Sequence, residues 1–255
     1  MIKRFLSLEW KQFTRASYFQ KGLAIKILLF FAVIYFGGVA LIIGGSMFFL
    51  LKKVFTEADT IVIVNNYLIY WILFDLMIRY FMQQLPVMNI KPLMTIPIRR
   101  TSVIHYLLGK TVISFFNFIS LFIFVPFCIV LLFKGYPITN VLLWFFAIMC
   151  ITLAINFLNF LVNKSNTVFY VIVSTVAITI ALRYFNIFDI TEPAGKIFNT
   201  LYNQVYLAII PLLITLGLYK VNFDFIRKGF YLDGAISKKV KEVSATDLTL
   251  SLIHI

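Results

Sequence analysis

The chain has 255 residues, of which 62% are hydrophobic and only 13% are charged, and its formal net charge is +13. A soluble domain carries about 25% charged residues, so the composition indicates an all-α polytopic membrane protein and excludes a separate soluble domain. The basic residues flank apolar runs, which favours anionic membrane lipids over nucleic acid as partners. Cys128, Cys150, His105 and His254 are too few and too scattered to predict a disulfide framework, a metal site or catalytic residues.

Residues 1–26 are basic and amphipathic. Their apolar side chains share one helical face, and their lysines and arginines share another. This pattern predicts an interfacial helix that lies parallel to the membrane. The alternative interpretation is a basic leader that only determines topology.

Six apolar runs approach or exceed the length that a bilayer requires. They predict transmembrane helices at residues 27–51, 60–81, 111–133, 138–162, 167–188 and 201–223. Together these spans form one transmembrane domain over residues 27–223. A basic, polar segment at residues 224–249 follows it and is interpreted as a cytoplasmic tail or linker.

The first span contains three small residues on one helical stripe, Gly37, Ala40 and Gly44. Small residues at this spacing let a neighbouring helix approach closely. We therefore expect this stripe to be a helix-packing surface.

Several polar residues fall inside the predicted spans. Asp75 and Arg79 in the second span are four residues apart, a spacing that allows an ion pair on one helical face. Ionisable residues within a span are functional candidates, although here each also neutralises the other. The amide side chains inside spans are Asn65, Asn66, Asn156 and Asn159.

The basic residues also predict the topology. With six spans, 17 lysines and arginines fall on the side that holds both termini, against 5 on the opposite side, and Arg79 lies within a span. This bias places both termini on the cytoplasmic side of a bacterial inner membrane, which the protein crosses several times.

Residues 90–110 lie between the second and third spans, too polar to span a bilayer and too apolar for a solvated linker. Pro92 and Pro97 divide the segment into short pieces, since proline disfavours helix in the residue before it. Thr101 or Ser102 is expected to cap a new helix that continues into the third span. The segment is predicted to lie on the cytoplasmic membrane surface. A second short helix is expected outside the membrane, after Pro193.

The last six residues, LSLIHI at 250–255, resemble the translation of a transposase-adapter end used in sequencing libraries. We expect them to be non-native, and we expect the native chain to continue beyond about Thr249. The alternative is a genuine apolar C-terminus.

The order of these parts resembles the permease subunits of ABC exporters of the second type. In that family a pattern L-x-x-x-P-I-x-R, followed by G-K at the entry to the third span, recurs. Here the pattern consists of Leu93, Pro97, Ile98, Arg100, Gly109 and Lys110. The layout is also similar to a longer, uncharacterised bacterial branch of permease-like proteins, so that this chain would hold one six-span half.

The resemblance implies a mechanism. Such permeases are not enzymes and bind no cofactor themselves; ATP and magnesium are bound by a separate cytoplasmic ATPase. A coupling helix docks on that ATPase, and the matching residues here are Pro97, Ile98, Arg99 and Arg100. The other implied partners are a second permease half or a second copy, and membrane lipids. The implied cargo is lipid-like or hydrophobic. The alternative role for the two arginines is topology alone.

Three other functions compete with this one. A secondary transporter uses broken helices and midplane charges, for which Pro126, Pro211 and Asp75 are the available residues. A membrane enzyme that acts on lipid needs an acid, base or metal constellation, and the sequence offers His105 alone. A non-transporting membrane scaffold is the third alternative.

Overall fold

A computed structural model describes residues 23–83, 100–162 and 166–236, together with Ser7 and Lys11. Within these residues the protein is all-α, as the composition predicts. The helices are α1 (Leu23–Val54), α2 (Thr60–Met82), α3 (Arg100–Val112), α4 (Phe115–Phe133), α5 (Ile138–Val162), α6 (Asn166–Tyr184), α7 (Thr191–Asn203) and α8 (Ile209–Ile236). A 3₁₀ turn, Val205–Ala208, joins α7 to α8.

Among the described residues, five helical segments are long and apolar enough to cross a bilayer. They are Phe30–Val54, Thr60–Met82, Phe115–Phe133, Ile138–Val162 and Val205–Lys228. These segments coincide with five of the six predicted spans, and the polytopic membrane fold is confirmed. The remaining prediction, at residues 167–188, coincides with α6, whose apolar stretch within the described part is the shorter Tyr170–Tyr184.

Both ends of the chain extend beyond what the structure describes. Of the interfacial helix predicted at residues 1–26, only Ser7, Lys11 and the first turn of α1 are described. Residues 237–255, with the six terminal ones, lie outside the described part. The start of the predicted tail is helical, because α8 continues to Ile236 and buries Ile226 against α3.

The turns between helices define two ends of the bundle. Residues 55–59 and 134–137 form the hairpin end, where the Tyr136 hydroxyl donates a hydrogen bond to Asp59. Burial, together with this bond and the charge of Asp59, raises the pKa of Tyr136 above its ordinary value. Gly135 has a φ of +88°, and the N–H of the next residue reaches back to the carbonyl of Leu131, so the glycine ends α4 in a Schellman turn.

The core has two parts, one toward each end. At the hairpin end, the side chains of Phe127 and Trp144 are completely buried between α2, α4 and α5. At the opposite end, which holds Gln83, Arg100 and Val162, the core is built around α3. The large apolar side chains that cover the outside of α1 are exposed, as a lipid-facing surface requires.

The stripe of small residues on α1 packs against α4. A Cβ atom on Gly44 would overlap the carbonyl oxygen of Ile123, and one on Gly37 would lie 3.6 Å from the ring of Phe122. Ala40, between them, is buried. Only a residue without a side chain lets α1 approach α4 this closely at Gly44.

Candidate functional site

An ion pair lies within α2, toward the end of the bundle opposite the hairpin end. Nε of Arg79 is 2.9 Å from Oδ2 of Asp75, because residues four apart face the same side of a helix. Arg79 is completely buried and Asp75 is 8% exposed. The guanidinium carbon lies 5.6 Å from the centre of the Phe116 ring on α4, a cation–π arrangement.

The guanidinium of Arg79 is only partly satisfied. Both terminal nitrogens, Nη1 and Nη2, have no hydrogen-bond partner among the described residues, and neither has Oδ1 of Asn159. Buried polar groups are nearly always paired, and an arginine presents five donors. The two terminal nitrogens of Arg79 can therefore donate to a further hydrogen-bond acceptor inside the bundle.

A chain of amide side chains connects Arg79 to α5 and α3. Nδ2 of Asn159 lies 3.4 Å from both the carbonyl oxygen of Arg79 and Oε1 of Gln83. Gln83 in turn donates to Asn156 at 2.7 Å, and Asn156 donates to Oγ1 of Thr111 at 2.9 Å. Four of the predicted intramembrane residues are thus brought together in one network, with two that the sequence interpretation did not include.

Gln83 and Thr111 were missed for different reasons. Gln83 follows Arg79 by four residues and so continues its helical face, a signal that was available. Thr111 lies at the end of α3, and its hydroxyl donates to the carbonyl of Leu108 at 2.8 Å within the same helix. Its contact with Asn156 is tertiary, so no local pattern marks it.

Helix α3 is packed into the opposite end of the bundle, while its first residue, Arg100, is exposed. His105 on α3 stacks on Phe223 of α8, with ring centres 4.8 Å apart, and its Nδ1 lies 2.5 Å from the hydroxyl of Tyr219. The buried apolar cluster comprises Val103, Ile104, Leu107 and Leu108 of α3 with Phe157, Phe160 and Ile226. The other predicted docking residues, Pro97, Ile98 and Arg99, lie outside the described residues.

Helix α3 does not continue into the third span, contrary to the sequence expectation. The helix ends at Val112, and α4 begins at Phe115. The amide of Asn117 donates to the carbonyl oxygen of Val112 at 2.7 Å, and it lies 3.4 Å from that of Thr111. A side chain that satisfies the last carbonyls of one helix from the first turn of the next stabilises a break between them.

Asn65 and Asn66 belong to a separate cluster near the hairpin end. Nδ2 of Asn65 donates to Asn199 of α7 at 2.7 Å, and the indole N–H of Trp144 donates to Oδ1 of Asn65 at 2.8 Å. Asn66 lies against Gly195, where a Cβ atom would overlap its amide. These residues hold α7 against α2 and α5, a packing role.

We expect Asn65→Leu to lower the free energy of unfolding by about 1–3 kcal/mol, since Trp144 and Asn199 both lose a buried partner. The measurement is the midpoint of thermal unfolding in detergent, followed by a thiol-reactive dye. Cys128 and Cys150 are the only cysteines of the chain, and both are free and buried, so the dye reports loss of packing.

The matched control is Asn203→Leu, an identical substitution at an exposed position near the end of α7. It should leave the midpoint unchanged, because an exposed amide bonds water equally well. Equal midpoints for the two variants would contradict the structural role of Asn65.

Within the described residues, no three His, Cys, Asp or Glu side chains come together as metal ligands.

Comparison with known proteins assigns the chain to a family. Comparisons with curated proteins and with solved structures found no match. A model described as a family of unknown function, DUF5687, matches residues 9–251. The match spans nearly the whole sequence, so this multi-pass membrane protein belongs to the DUF5687 family.

Proposed function

We propose that this protein is the membrane-spanning permease half of an ATP-driven exporter. A separate cytoplasmic ATPase, which carries the ATP and magnesium, would dock on the segment at residues 90–110. The complex would be completed by a second permease half or a second copy of this chain. One observation carries the proposal: α3, the described part of that segment, is built into the helical bundle rather than lying loosely on its surface.

The packing of α3 supports transmission of a force from its exposed start. Its apolar face is buried against α5 and α8, and tightly packed interiors transmit displacement because they cannot deform continuously. Thr111 adds a polar link through Asn156 and Gln83 to α2. A movement of α3 therefore acts on three membrane helices together.

The polar network suits a rearrangement of these helices. Side-chain hydrogen bonds between membrane helices contribute on average about 0.6 kcal/mol each. The bonds from Asn159 to α2 are long, at 3.4 Å. The helices can exchange such bonds at low cost, whereas the Asp75–Arg79 pair lies within α2 and moves with it.

The charge at the start of α3 supports an acidic partner. Arg100 is exposed at the first residue of the helix, and Arg99 precedes it. Arginine binds carboxylates with two parallel hydrogen bonds. Basic residues are in excess on the side of the membrane where α3 begins. This excess predicts that the end of the bundle opposite the hairpin end faces the cytoplasm, where an ATPase would reside.

A secondary transporter is the second candidate, because Asp75 is a buried carboxylate within a span. Proton coupling requires that carboxylate to gain and lose a proton, and here Arg79 lies 2.9 Å from it. Transport by reconstituted protein that follows an imposed ion gradient, without any ATPase, would favour this candidate over the exporter.

The exporter proposal is tested by reversing the charge at the start of α3. The combined substitution Arg99→Glu and Arg100→Glu should reduce capture of the ATPase by about tenfold or more, because carboxylates would then face an acidic groove. Capture is measured by affinity purification of the tagged chain from its native host, followed by ATP turnover of the complex in vesicles.

The matched control is Lys52→Glu with Lys53→Glu, an equal change of charge at exposed neighbouring residues of the hairpin end. This control should retain both the ATPase and its turnover. Failure of the unaltered chain to capture an ATPase, or normal capture by the arginine variant, would refute the assignment.

A further inference from the structure

An apolar cavity opens between α1, α2, α4 and α6, in the half of the bundle nearer the hairpin end. Its volume is about 710 Å³, and its wall includes Met47, Trp71, Phe124 and Val176. Helix α6 packs loosely beside it: among its described side chains only Thr179 is buried. One wall of the cavity is therefore a peripheral helix at the lipid boundary.

A cation lies at one end of this otherwise apolar cavity. Nη2 of Arg183 donates to the hydroxyl of Tyr67 at 2.8 Å, and the guanidinium carbon is 5.0 Å from the centre of the Tyr67 ring. The Tyr70 hydroxyl, also on the cavity wall, is buried and has no hydrogen-bond partner among the described residues. Arg183 lies in the last turn of α6, which ends at Tyr184 just before Asn186 with its φ of +54°.

One carboxylate faces this cation. Oδ2 of Asp189 is 3.4 Å from Nε of Arg183, and both side chains remain about one-third exposed. Burial alone would raise the pKa of Asp189, but hydrogen bonds from Thr191 and the charge of Arg183 hold that pKa below its ordinary value. Oδ1 of Asp189 accepts those Thr191 bonds, so the carboxylate is shared between two partners.

A buried hydrogen-bond donor lies deeper in the cavity wall. The indole nitrogen of Trp71 is buried and has no hydrogen-bond partner within the described part of the chain. Trp71 follows Tyr67 by four residues, so it lies one helical turn further from Arg183 along the same face of α2. Cation, donor and apolar wall thus follow one another along the cavity.

We propose that this cavity binds an anionic glycerophospholipid, with its phosphate at Arg183 and Tyr67, an ester carbonyl near Trp71 and an acyl chain against the apolar wall. The volume falls within the range of about 300–1,000 Å³ that is typical of ligand pockets. A guanidinium matches phosphate geometry. Its positive charge favours a headgroup of net negative charge over a zwitterionic one, whose own cation offsets the phosphate. The loosely packed α6 allows entry from the bilayer.

This proposal goes beyond the exporter function and does not require it. Lipid binding is an equilibrium property of the isolated chain, so it is measured without an ATPase or nucleotide. Loss of lipid preference would leave ATPase capture at α3 untouched, and failure of that capture would leave the lipid site untouched.

The test uses Trp71 as an internal probe. The protein is reconstituted in vesicles that mix phosphatidylglycerol and phosphatidylcholine, with bromine on the acyl chains of one lipid at a time. Brominated chains quench tryptophan on contact. The contribution of Trp71 is obtained by subtracting the Trp71→Phe variant, since the chain also contains Trp10 and Trp144. We expect brominated phosphatidylglycerol to quench Trp71 about fivefold more effectively than brominated phosphatidylcholine at the same mole fraction.

Three variants distinguish the site from general membrane contact. Arg183→Gln should remove the preference for phosphatidylglycerol, whereas Asp189→Asn should increase it by removing the competing carboxylate. Lys196→Gln, an exposed cation on α7 that lines a different cavity, should leave the preference unchanged. Equal quenching by the two lipids, or a preference that survives in Arg183→Gln, would overturn the proposal.

Discussion

Replacing Arg79 with methionine is expected to destabilise the protein by about 3–5 kcal/mol, because the Asp75 carboxylate would remain buried without its counter-charge. Arg79 is completely buried and lies 2.9 Å from that carboxylate. The thermal midpoint should fall by roughly 2–4 °C for each kcal/mol in a chain of this size. The dye assay on Cys128 and Cys150 measures it.

The double variant Asp75→Leu with Arg79→Met separates the charge effect from a packing effect. Removing both partners of a buried pair is often neutral, so the double variant should recover most of the lost midpoint. The control is Arg183→Gln, which breaks a pair whose side chains are about one-third exposed and should cost at most about 1 kcal/mol. A single Arg79→Met variant as stable as the unaltered chain would contradict the buried pair.

The same series tests for a functional role. If Asp75→Asn lowers the midpoint and the yield, the pair is a structural element. If the midpoint is retained while transport is lost, Asp75 takes part in function, and the unpaired Nη1 and Nη2 of Arg79 become the place to look for a bound group. The double variant adds the pairwise energy of Asp75 with Arg79, because its midpoint recovers only if the loss in Arg79→Met comes from an unpaired charge.

The membrane helices were predictable because their signals are local. Phe115–Phe133 is a long apolar run, and any such run must become a helix in lipid, where each backbone group needs a partner within the segment. Asp75 and Arg79 pair as their spacing predicts. The turn at Gly135 and the short helix α7 also have local causes.

The arrangement of the site was not predictable, because it depends on contacts between distant residues. Hydropathy continues without interruption from Thr111 into α4, yet the amide of Asn117 stabilises a break at Ile113–Ser114. Gln83 and Asn156 are 73 positions apart, so only the folded bundle joins them. In the sequence, Arg183 is only one of the five basic residues on the side opposite the termini, whereas the fold places it at the end of a cavity.

The close crossing of α1 and α4 gives the last prediction. Gly44→Ala should destabilise the protein by about 3 kcal/mol, the upper end for overpacking, since the new Cβ would meet backbone rather than a movable side chain. That Cβ would overlap the carbonyl oxygen of Ile123 and lie 2.9 Å from the ring of Pro126. The dye assay again provides the midpoint.

Gly45→Ala is the matched control, because it makes the same change one residue later on the same helix. A Cβ on Gly45 would meet nothing within 4 Å, and alanine is the better helix former by about 0.5–1 kcal/mol. The Gly45 variant should therefore be as stable as the unaltered chain or slightly more stable. A difference between the two variants isolates the contact with α4 from helix propensity. Equal midpoints would mean that α1 does not cross α4 at Gly44.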